Sequence, residues 1–483
     1  MECVLLVAAN REQFPEPAFP LGAAYVAGAL EAHGIAVRLV DAGLERRPLA
    51  AVRREIAAFR PDAVGVSLRN ADNAAWPHTR SYVGWYGDLL EGIRAACLSV
   101  GGAGRPGGRR AGPAVVLGGA AFAIFPGELL RLLAADAGVT GDGEDGMLRL
   151  CRGGDADDTM LRLRRDGIDA ATDARPGAPG TIVHGELADL SDVRLPARLG
   201  EVFPGVERYK TIGVQTARGC TYRCLYCTYP VVEGRRLRRR PPEAVADEIE
   251  RLYRDHGRSA VFIVDSAFNA DEEHMAAVCR ALAARRLPVR FSCYLQPRVS
   301  DPSLFGLLAA AGCMAVDFGT DTGSESMIAA LGKAFTADDV RRVSRACRAA
   351  GIDFCHSLLF GGPGETCATV EETIRLMDEV APTAVVAMAG MRIYPGTGLE
   401  QAALAAGQVR PDDGLLEPRF YAPDGDLRWL FTQVREAART RRAWFLPGSR
   451  DWSSLWGPRV LRALSDGGPL WRSFPRPRWY KFF

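Results

Sequence analysis

The chain has 483 residues, enough for about three domains and several buried cores. With 48% hydrophobic and 24% charged residues it is not a disordered chain. Lys plus Arg number 60 and Asp plus Glu 58, so the net charge of +2 gives no global reason to expect a nucleic-acid partner. Lysine occurs only at Lys210, Lys333 and Lys481; the excess of Ala, Arg and Gly reads as base composition rather than function. The best apolar run, Ala114–Phe125, is interrupted by Gly118–Gly119 and ended by Pro126, so it cannot span a bilayer. Met1–Asn10 lacks the basic start of a secretory signal. A soluble, cytoplasmic protein with no membrane partner is expected. Its 12 scattered cysteines are expected as reduced thiols or metal ligands rather than disulfides.

Cys3–Ala9 reads as a buried strand, Leu21–His33 as a helix stopped by Gly34, Ala36–Asp41 as a strand, Leu49–Arg60 as a helix and Ala63–Leu68 as a third strand. Tyr82–Leu98 is helical, Ala114–Leu117 extended and Pro126–Ala135 helical; Gly138–Val139 leads into Gly141-Asp-Gly-Glu144. This alternation predicts an α/β fold whose residues 1–150 form a doubly wound, Rossmann-like parallel sheet with ligands at the strand carboxyl ends. Gly101–Gly112 reads as a low-complexity surface loop. Residues 151–205 read as a connecting segment with one weak strand, Thr181–His184.

From Lys210 the alternation restarts. Strands are predicted at Thr211–Thr216, Ala260–Asp265, Val289–Leu295, Ala315–Gly319, Asp353–Phe360 and Ala384–Ile393. Helices are predicted between them at Pro242–Asp255, Asp271–Ala284, Pro302–Ala311, Thr336–Ala350 and Thr369–Val380. Residues 206–400 thus make an incomplete (β/α)6 barrel, a partial TIM barrel, with its chemistry on the loops after the strands. Six of the eight tryptophans follow: Trp429, Trp444, Trp452, Trp456, Trp471 and Trp479. They predict an aromatic-rich helical cap over residues 401–483, packed on the barrel and helping to close the substrate space to water.

Residues 218–227 read Arg-Gly-Cys-Thr-Tyr-Arg-Cys-Leu-Tyr-Cys. Cys220, Cys224 and Cys227 therefore stand in a C-x3-C-x2-C spacing on a loop directly after a strand, where three thiolates can converge on one soft metal centre. A zinc site needs a fourth ligand nearby. The next histidine, His256, lies beyond a whole predicted helix, and no fourth cysteine follows closely. Three ligands leave one corner of a [4Fe–4S] cluster open. Here the chain resembles the radical S-adenosylmethionine (SAM) enzymes.

That resemblance implies that SAM chelates the open iron through its amino and carboxylate groups. One electron, from a donor such as flavodoxin or ferredoxin, then cleaves SAM to a 5′-deoxyadenosyl radical. Val264–Asn269, Phe318–Glu325, Leu359–Glu365 and Arg392–Thr397 resemble the SAM-binding strand ends of the family. Tyr226 and Tyr229 would stack on adenine or shield the cluster, with ordinary loop packing as the alternative. Asp265 and Glu325 would accept from ribose hydroxyls or the SAM amine, and Arg392 would fork onto a carboxylate; satisfied ion pairs are the alternative. The run Arg235–Arg240 reads as a solvated face rather than a substrate site.

A doubly wound domain before such a barrel resembles the cobalamin (B12)-binding, methyltransferase-like class B of these enzymes. The carrying stretches are Phe19-Pro20-Leu21-Gly22, Ser67-Leu68-Arg69-Asn70, Leu117-Gly118-Gly119 and Gly141-Asp-Gly-Glu144. Glycines at strand ends let a backbone approach a bulky ligand. Many cobalamin carriers place a D-x-H-x-x-G motif after the first strand, its histidine ligating cobalt. Asn10–Gly22 contains no histidine; His33 lies at a helix end and His78 on a later loop. The lower face of cobalt is therefore expected to lack histidine and to be covered by Arg69, Asn70 or Trp76.

The function implied is C-methylation of an unactivated carbon of a small molecule, a specialised metabolite, through methylcobalamin and the 5′-deoxyadenosyl radical. Ring rearrangement, cyclisation or oxidation with the same cofactors is the alternative. A tRNA methylthiotransferase would need a second three-cysteine group, and Cys3, Cys97 and Cys151 are too dispersed. A non-catalytic cobalamin carrier or sensor would not need intact cluster ligands. Substrate identity and oligomeric state are left open.

Overall fold

The computed structural model describes residues 1–12, 17–100, 112–152, 181–447 and 467–473. The chain forms two compact units. The first comprises Met1–Asp72, Ser81–Tyr209 and Val231–Glu233; the second comprises Asn73–Arg80, Lys210–Pro230 and Gly234–Phe483.

The first unit is built on six strands: β1 (Cys3–Ala8), β2 (Ala36–Asp41), β3 (Ala63–Ser67), β4 (Ala114–Gly118), β5 (Ala137–Gly141) and β6 (Thr181–Gly185). Their order is β2-β1-β3-β4-β5-β6, and every neighbouring pair is parallel. The runs Val4–Val7 and Val64–Val66 are buried almost completely, as expected of strands in a sheet covered on both faces. Helix Leu21–Ala32 packs on helix Gly143–Arg152, and helix Pro48–Phe59 on helix Val83–Val100. The strand order reverses between β1 and β3, which places a ligand crevice beyond their carboxyl ends.

Two readings change here. Thr181–His184, read as a weak strand within a connector, is extended to Gly185 as the sixth strand of this sheet, paired from Ala137↔Thr181 to Gly141↔Gly185. The chain after it stays with the unit as far as Tyr209. Leu190, Val193, Leu195, Phe203 and Val206 are buried. A Cβ at Gly28 would stand 2.0 Å from the Arg194 carbonyl oxygen, so a glycine is what lets this segment lie against the first helix. Residues 101–111 of the low-complexity loop lie outside the described residues.

The second unit contains β7 (Ile212–Val214), β8 (Ala260–Ile263), β9 (Arg290–Leu295), β10 (Cys313–Asp321), β11 (Asp353–Phe360), β12 (Ala384–Ala389) and β13 (Trp444–Phe445). They run in sequential order in one parallel sheet. Helices follow at Pro242–His256, Glu272–Arg285, Leu304–Ala310, Ala337–Ala349 and Cys367–Val380, as their apolar spacing predicts. Asp271, Thr336 and Thr366 cap three of them with side-chain oxygens. β7 and β13 end the sheet, so the barrel is incomplete.

All six predicted barrel strands are present, but the last is shorter than expected. Gly390, at φ +93°, turns the chain out of the sheet after Ala389, and Met391–Arg392 pairs instead with Phe420–Tyr421. The cap is also not purely helical. Helix Arg428–Thr440 leads into β13, which adds Trp444 and Phe445 to the sheet edge. Leu470 and Trp471 are buried with Ala260, Met314, Ala315, Ala384 and Phe445. Several of these residues open their strands, so Trp471 closes the amino-terminal floor of the barrel and not its mouth. Its indole N–H donates to Asp317 at 2.8 Å, and Arg472 pairs with Asp353 at 2.8 Å. Trp452, Trp456 and Trp479 lie outside the described residues. Among the described residues no helix is long and apolar enough to cross a membrane.

Candidate cofactor sites

In the second unit the cysteine loop begins as β7 ends. Ala217–Arg218 pairs antiparallel with Arg238–Arg239, which anchors the loop base. Gly219 has φ +103°, and a Cβ there would lie 2.2 Å from the Arg236 carbonyl oxygen, so only glycine allows this crossing. The loop is tied at several points. Cys220 N–H donates to Gly234 O (3.1 Å), Leu225 N–H to Leu331 O (3.0 Å), and Leu399 N–H to Leu225 O (2.8 Å). Two later strand-end loops therefore hold the central part of the motif.

Cys220 is buried, and Cys224 and Cys227 are partly so. Burial raises the Cys224 thiol pKa and pushes that of Cys227 up to about 12, the neighbouring cysteine charges adding to it. Among the described residues no three His, Cys, Asp or Glu side chains stand at ion-holding distance. The three thiols nonetheless share one loop and feel one another's charge. Three soft donors whose thiolates are costly in the bare protein suit a centre that supplies compensating positive charge. The donor set thus fits an iron–sulfur cluster.

The structure places the other expected residues as follows. Tyr226 donates its hydroxyl to Asp321. The Tyr229 backbone N–H bonds the Cys227 sulfur, and the Tyr229 side chain is partly exposed. Asp265 is buried, and its carboxylate accepts from Thr216 N–H at 2.7 Å and from the Thr216 hydroxyl at 2.5 Å, fastening β7 to the end of β8. Glu325 is exposed and accepts from Ala337 N–H at 2.8 Å. Arg392 is buried, donating to the carbonyls of Ile393 (2.5 Å) and Leu415 (2.6 Å). The carboxylate of Asp265 and the guanidinium of Arg392 are thus engaged within the protein. The arginine run is not one solvated face. Arg240 is buried and paired with buried Glu248 at 2.9 Å, while Arg235 and Arg236 are exposed.

All four SAM-like stretches sit at or after strand carboxyl ends. In Leu359–Glu365, Gly361 (φ +104°) gives its N–H to the buried Glu365 carboxylate at 3.1 Å, and Thr369 donates to the other oxygen at 2.6 Å. Sequence reasoning missed Lys333 and Asp321. Lys333 pairs with Asp321 and lies beside Tyr226 and Cys224. The available signal was the rarity of lysine in this chain.

In the first unit the cobalamin-like stretches all lie on the carboxyl edge of the sheet. Pro20, Leu21 and Gly22 open the helix after β1; Ser67, Leu68, Arg69 and Asn70 end and follow β3; Gly118 and Gly119 end and follow β4; Gly141 ends β5, and buried Glu144 begins the next helix. Gly22, Gly119 and Gly141 are exposed, and Arg69 is exposed above them in sequence. Nothing lies within 4 Å of where a Gly22 Cβ would stand, and only the Val139 oxygen, at 3.7 Å, near that of Gly118. Gly119 (φ +93°) has Leu68 O at 2.6 Å from its Cβ position, which closes β3 and β4 tightly behind this open rim. Gly141 differs, since the His184 ring lies 2.8 Å from its Cβ position. An edge opened by Gly22, Gly118 and Gly119 fits a large planar ligand.

Trp76 does not stay on this edge. It belongs to the second unit, where its ring meets Phe431 edge-on at 5.5 Å and its Cβ lies 3.1 Å from the Gly390 Cβ position. Of the three residues expected to cover cobalt, Arg69 and Asn70 are the ones in the first unit. His33 caps the far end of the first helix and bonds Ala29 O at 2.8 Å. His78, in the connection after β3, falls in the segment Asn73–Arg80 that belongs to the second unit, while His184, at the carboxyl end of β6, bonds the Thr140 hydroxyl at 3.1 Å.

Comparison with known proteins agrees with this division. Residues 8–150 match the B12 binding domain and residues 214–377 the radical SAM superfamily. The chain is 26% identical to tryptophan 2-C-methyltransferase of Streptomyces laurentii over 81% of its own length and 73% of that protein. It is 24% identical to cytidylyl-2-hydroxyethylphosphonate methyltransferase of Streptomyces wedmorensis, over 76% and 73%. Its fold is that of TsrM, the radical SAM methyltransferase of Kitasatospora setae, with a TM-score of 0.77 at 23% identity, covering 98% of both chains. The chain is a radical SAM enzyme with a B12 binding domain.

Proposed function

We propose that this enzyme is a C-methyltransferase acting on a small molecule. The observation that carries the reading is its likeness, across both domains and most of both chains, to a tryptophan 2-C-methyltransferase. When bound, the cluster with SAM supplies a radical and cobalamin a methyl group. The protein's part is to hold and orient. Cys220, Cys224 and Cys227 fix the cluster, and the loops at Leu331 and Leu399 keep their backbone in place. Pro20–Gly22, Ser67–Asn70, Gly118–Gly119, Gly141 and Glu144 would frame cobalamin, and Arg69 with Asn70 would cover its lower face. A one-electron donor such as flavodoxin or ferredoxin completes the system.

The substrate wall is argued from strand alternation. On β9, Phe291, Cys293 and Leu295 are buried, while Tyr294 is 39% exposed. Side chains alternate along a strand, so Ser292 and Tyr294 share the inner face of the barrel. Tyr294 meets Phe262 edge-on at 5.0 Å. The Ser292 hydroxyl is buried with no partner, as is the Gln296 amide oxygen just beyond the strand. An aromatic pair beside two unanswered polar atoms suits a flat substrate that carries a hydrogen-bond donor.

The test is anaerobic reconstitution with cobalamin, a reductant and SAM bearing a trideuterated methyl group, offered with tryptophan and related flat heteroaromatic compounds. Expected is a product carrying the label, with S-adenosylhomocysteine and 5′-deoxyadenosine formed in equal amounts. A substrate converted to an isomer or cyclised product without label overturns the methylation reading.

A further inference from the structure

Only three of the chain's 60 basic residues are lysine. One of them, Lys333, stands beside the cysteine loop at 2% side-chain exposure. It follows Gly332, whose φ of +65° and Cβ position 2.8 Å from Arg223 O bring this turn directly onto the motif. The Lys333 ammonium pairs with Asp321, donates to the Tyr226 hydroxyl at 3.2 Å and the Gly319 carbonyl at 3.3 Å, and lies close enough to Cys224 for its charge to act on the thiol. Asp321, itself only 8% exposed, ends β10 at φ +60° and also accepts from Tyr226. A compact ammonium directs its three donors from a single point, whereas a planar guanidinium spreads five over a fixed fork.

We propose that Lys333 and Asp321 are positioning residues that set the reduction potential of the cluster held by Cys220, Cys224 and Cys227. The inference rests on the cluster reading above. Hydrogen bonds and fixed charges at the sulfur ligands tune iron–sulfur centres. A cation beside a ligand sulfur favours the reduced, more negative state, and in a buried site its field is weakly screened. The Asp321 carboxylate, whose charge also reaches Cys224, opposes it. The two charges therefore act with opposite sign on one couple, and the phenol of Tyr226 holds them in register.

The experiment compares wild type, Lys333→Met and Asp321→Asn after anaerobic reconstitution, by iron and sulfide per chain and by a redox titration followed with electron paramagnetic resonance. Asparagine tolerates the left-handed backbone at position 321, so that variant tests charge with little strain. Lys333→Met is expected to make reduction at least tenfold less favourable at a fixed potential, about 59 mV more negative for one electron. Asp321→Asn is expected to shift the couple the other way. A structural role alone would lower cluster content without splitting the sign. Equal potentials in all three proteins, or shifts of the same sign, overturn the proposal. Should Lys333→Met fail to hold the cluster, a potential in Asp321→Asn that is unchanged or more negative overturns it. A wild-type protein that holds no cluster overturns the cluster reading itself, and the proposal with it.

Discussion

The cysteine loop of the second unit is held by side chains and by backbone bonds to Leu331 and Leu399, whereas the carboxyl edge of the first sheet is opened by Gly22, Gly118 and Gly119. The difference follows from what each must hold. Iron demands specific donor atoms at fixed spacing, so chemistry there is written in residue identity. A large organic ring demands room and close backbone approach, so that site is written in glycines and strand order. Substitutions should therefore act differently in the two places.

The largest effect is expected from the loop. Replacing any one of Cys220, Cys224 or Cys227 with Ala should abolish 5′-deoxyadenosine formation from SAM, measured by chromatography, because three ligands leave none to spare. Next is the barrel floor, which tests whether the second unit stands apart. Trp471→Ala removes a buried indole and one of the partners of Asp317. It should cost about 3–5 kcal/mol in denaturant unfolding of that unit.

On the cobalamin edge two glycines separate shape from stability. Gly119→Val forces a branched side chain into φ +93° against Leu68 O at 2.6 Å. It should cost about 1–3 kcal/mol and lower the unfolding midpoint. Gly22→Val adds a Cβ that meets nothing within 4 Å. It should leave the midpoint alone and still reduce cobalamin retained after gel filtration about tenfold, a modest steric penalty of about 1.4 kcal/mol in binding.

The last effect is a pH dependence confined to the second unit. His356 lies buried between the Thr320 hydroxyl at 2.7 Å and the Ser344 hydroxyl at 3.0 Å. Burial lowers its pKa from 6.5 to about 3. The unfolded chain protonates this histidine first as the pH falls. The stability it contributes is complete above pH 6.5 and declines towards pH 3, by about 1.4 kcal/mol per pH unit. Urea unfolding of His356→Asn against wild type should show their stability difference shrinking as the pH drops below 6.5.

Much of the fold was legible because the strands are short apolar runs punctuated by glycine. Ala36–Asp41 and Asp353–Phe360 fall where their patterns put them. Thr181–His184 was visible as a strand but not as a member of the first sheet, since its pairing with β5 crosses 39 residues of connection between Gly141 and Thr181 with little pattern. β13 is two aromatic residues long and carries no periodicity. The cysteine loop was legible from spacing alone. Asp265 and Arg392 were legible as charges at strand ends, but their engagement with Thr216 and with backbone carbonyls depends on neighbours distant in sequence. Lys333 and Asp321 were not legible, because a single cation and a single anion 12 positions apart acquire meaning only when a turn brings them to Tyr226.

The central claim is that one chain holds two cofactors by independent means, side chains in one unit and open backbone in the other. It is tested most directly by reconstituting wild type, the triple variant Cys220→Ala/Cys224→Ala/Cys227→Ala and Gly22→Val with iron, sulfide and cobalamin, then counting iron and cobalt per chain. The account predicts that the triple variant loses iron and keeps cobalt, and that Gly22→Val keeps iron and loses cobalt. Iron retained by the triple variant, or cobalt lost together with its iron, would contradict it.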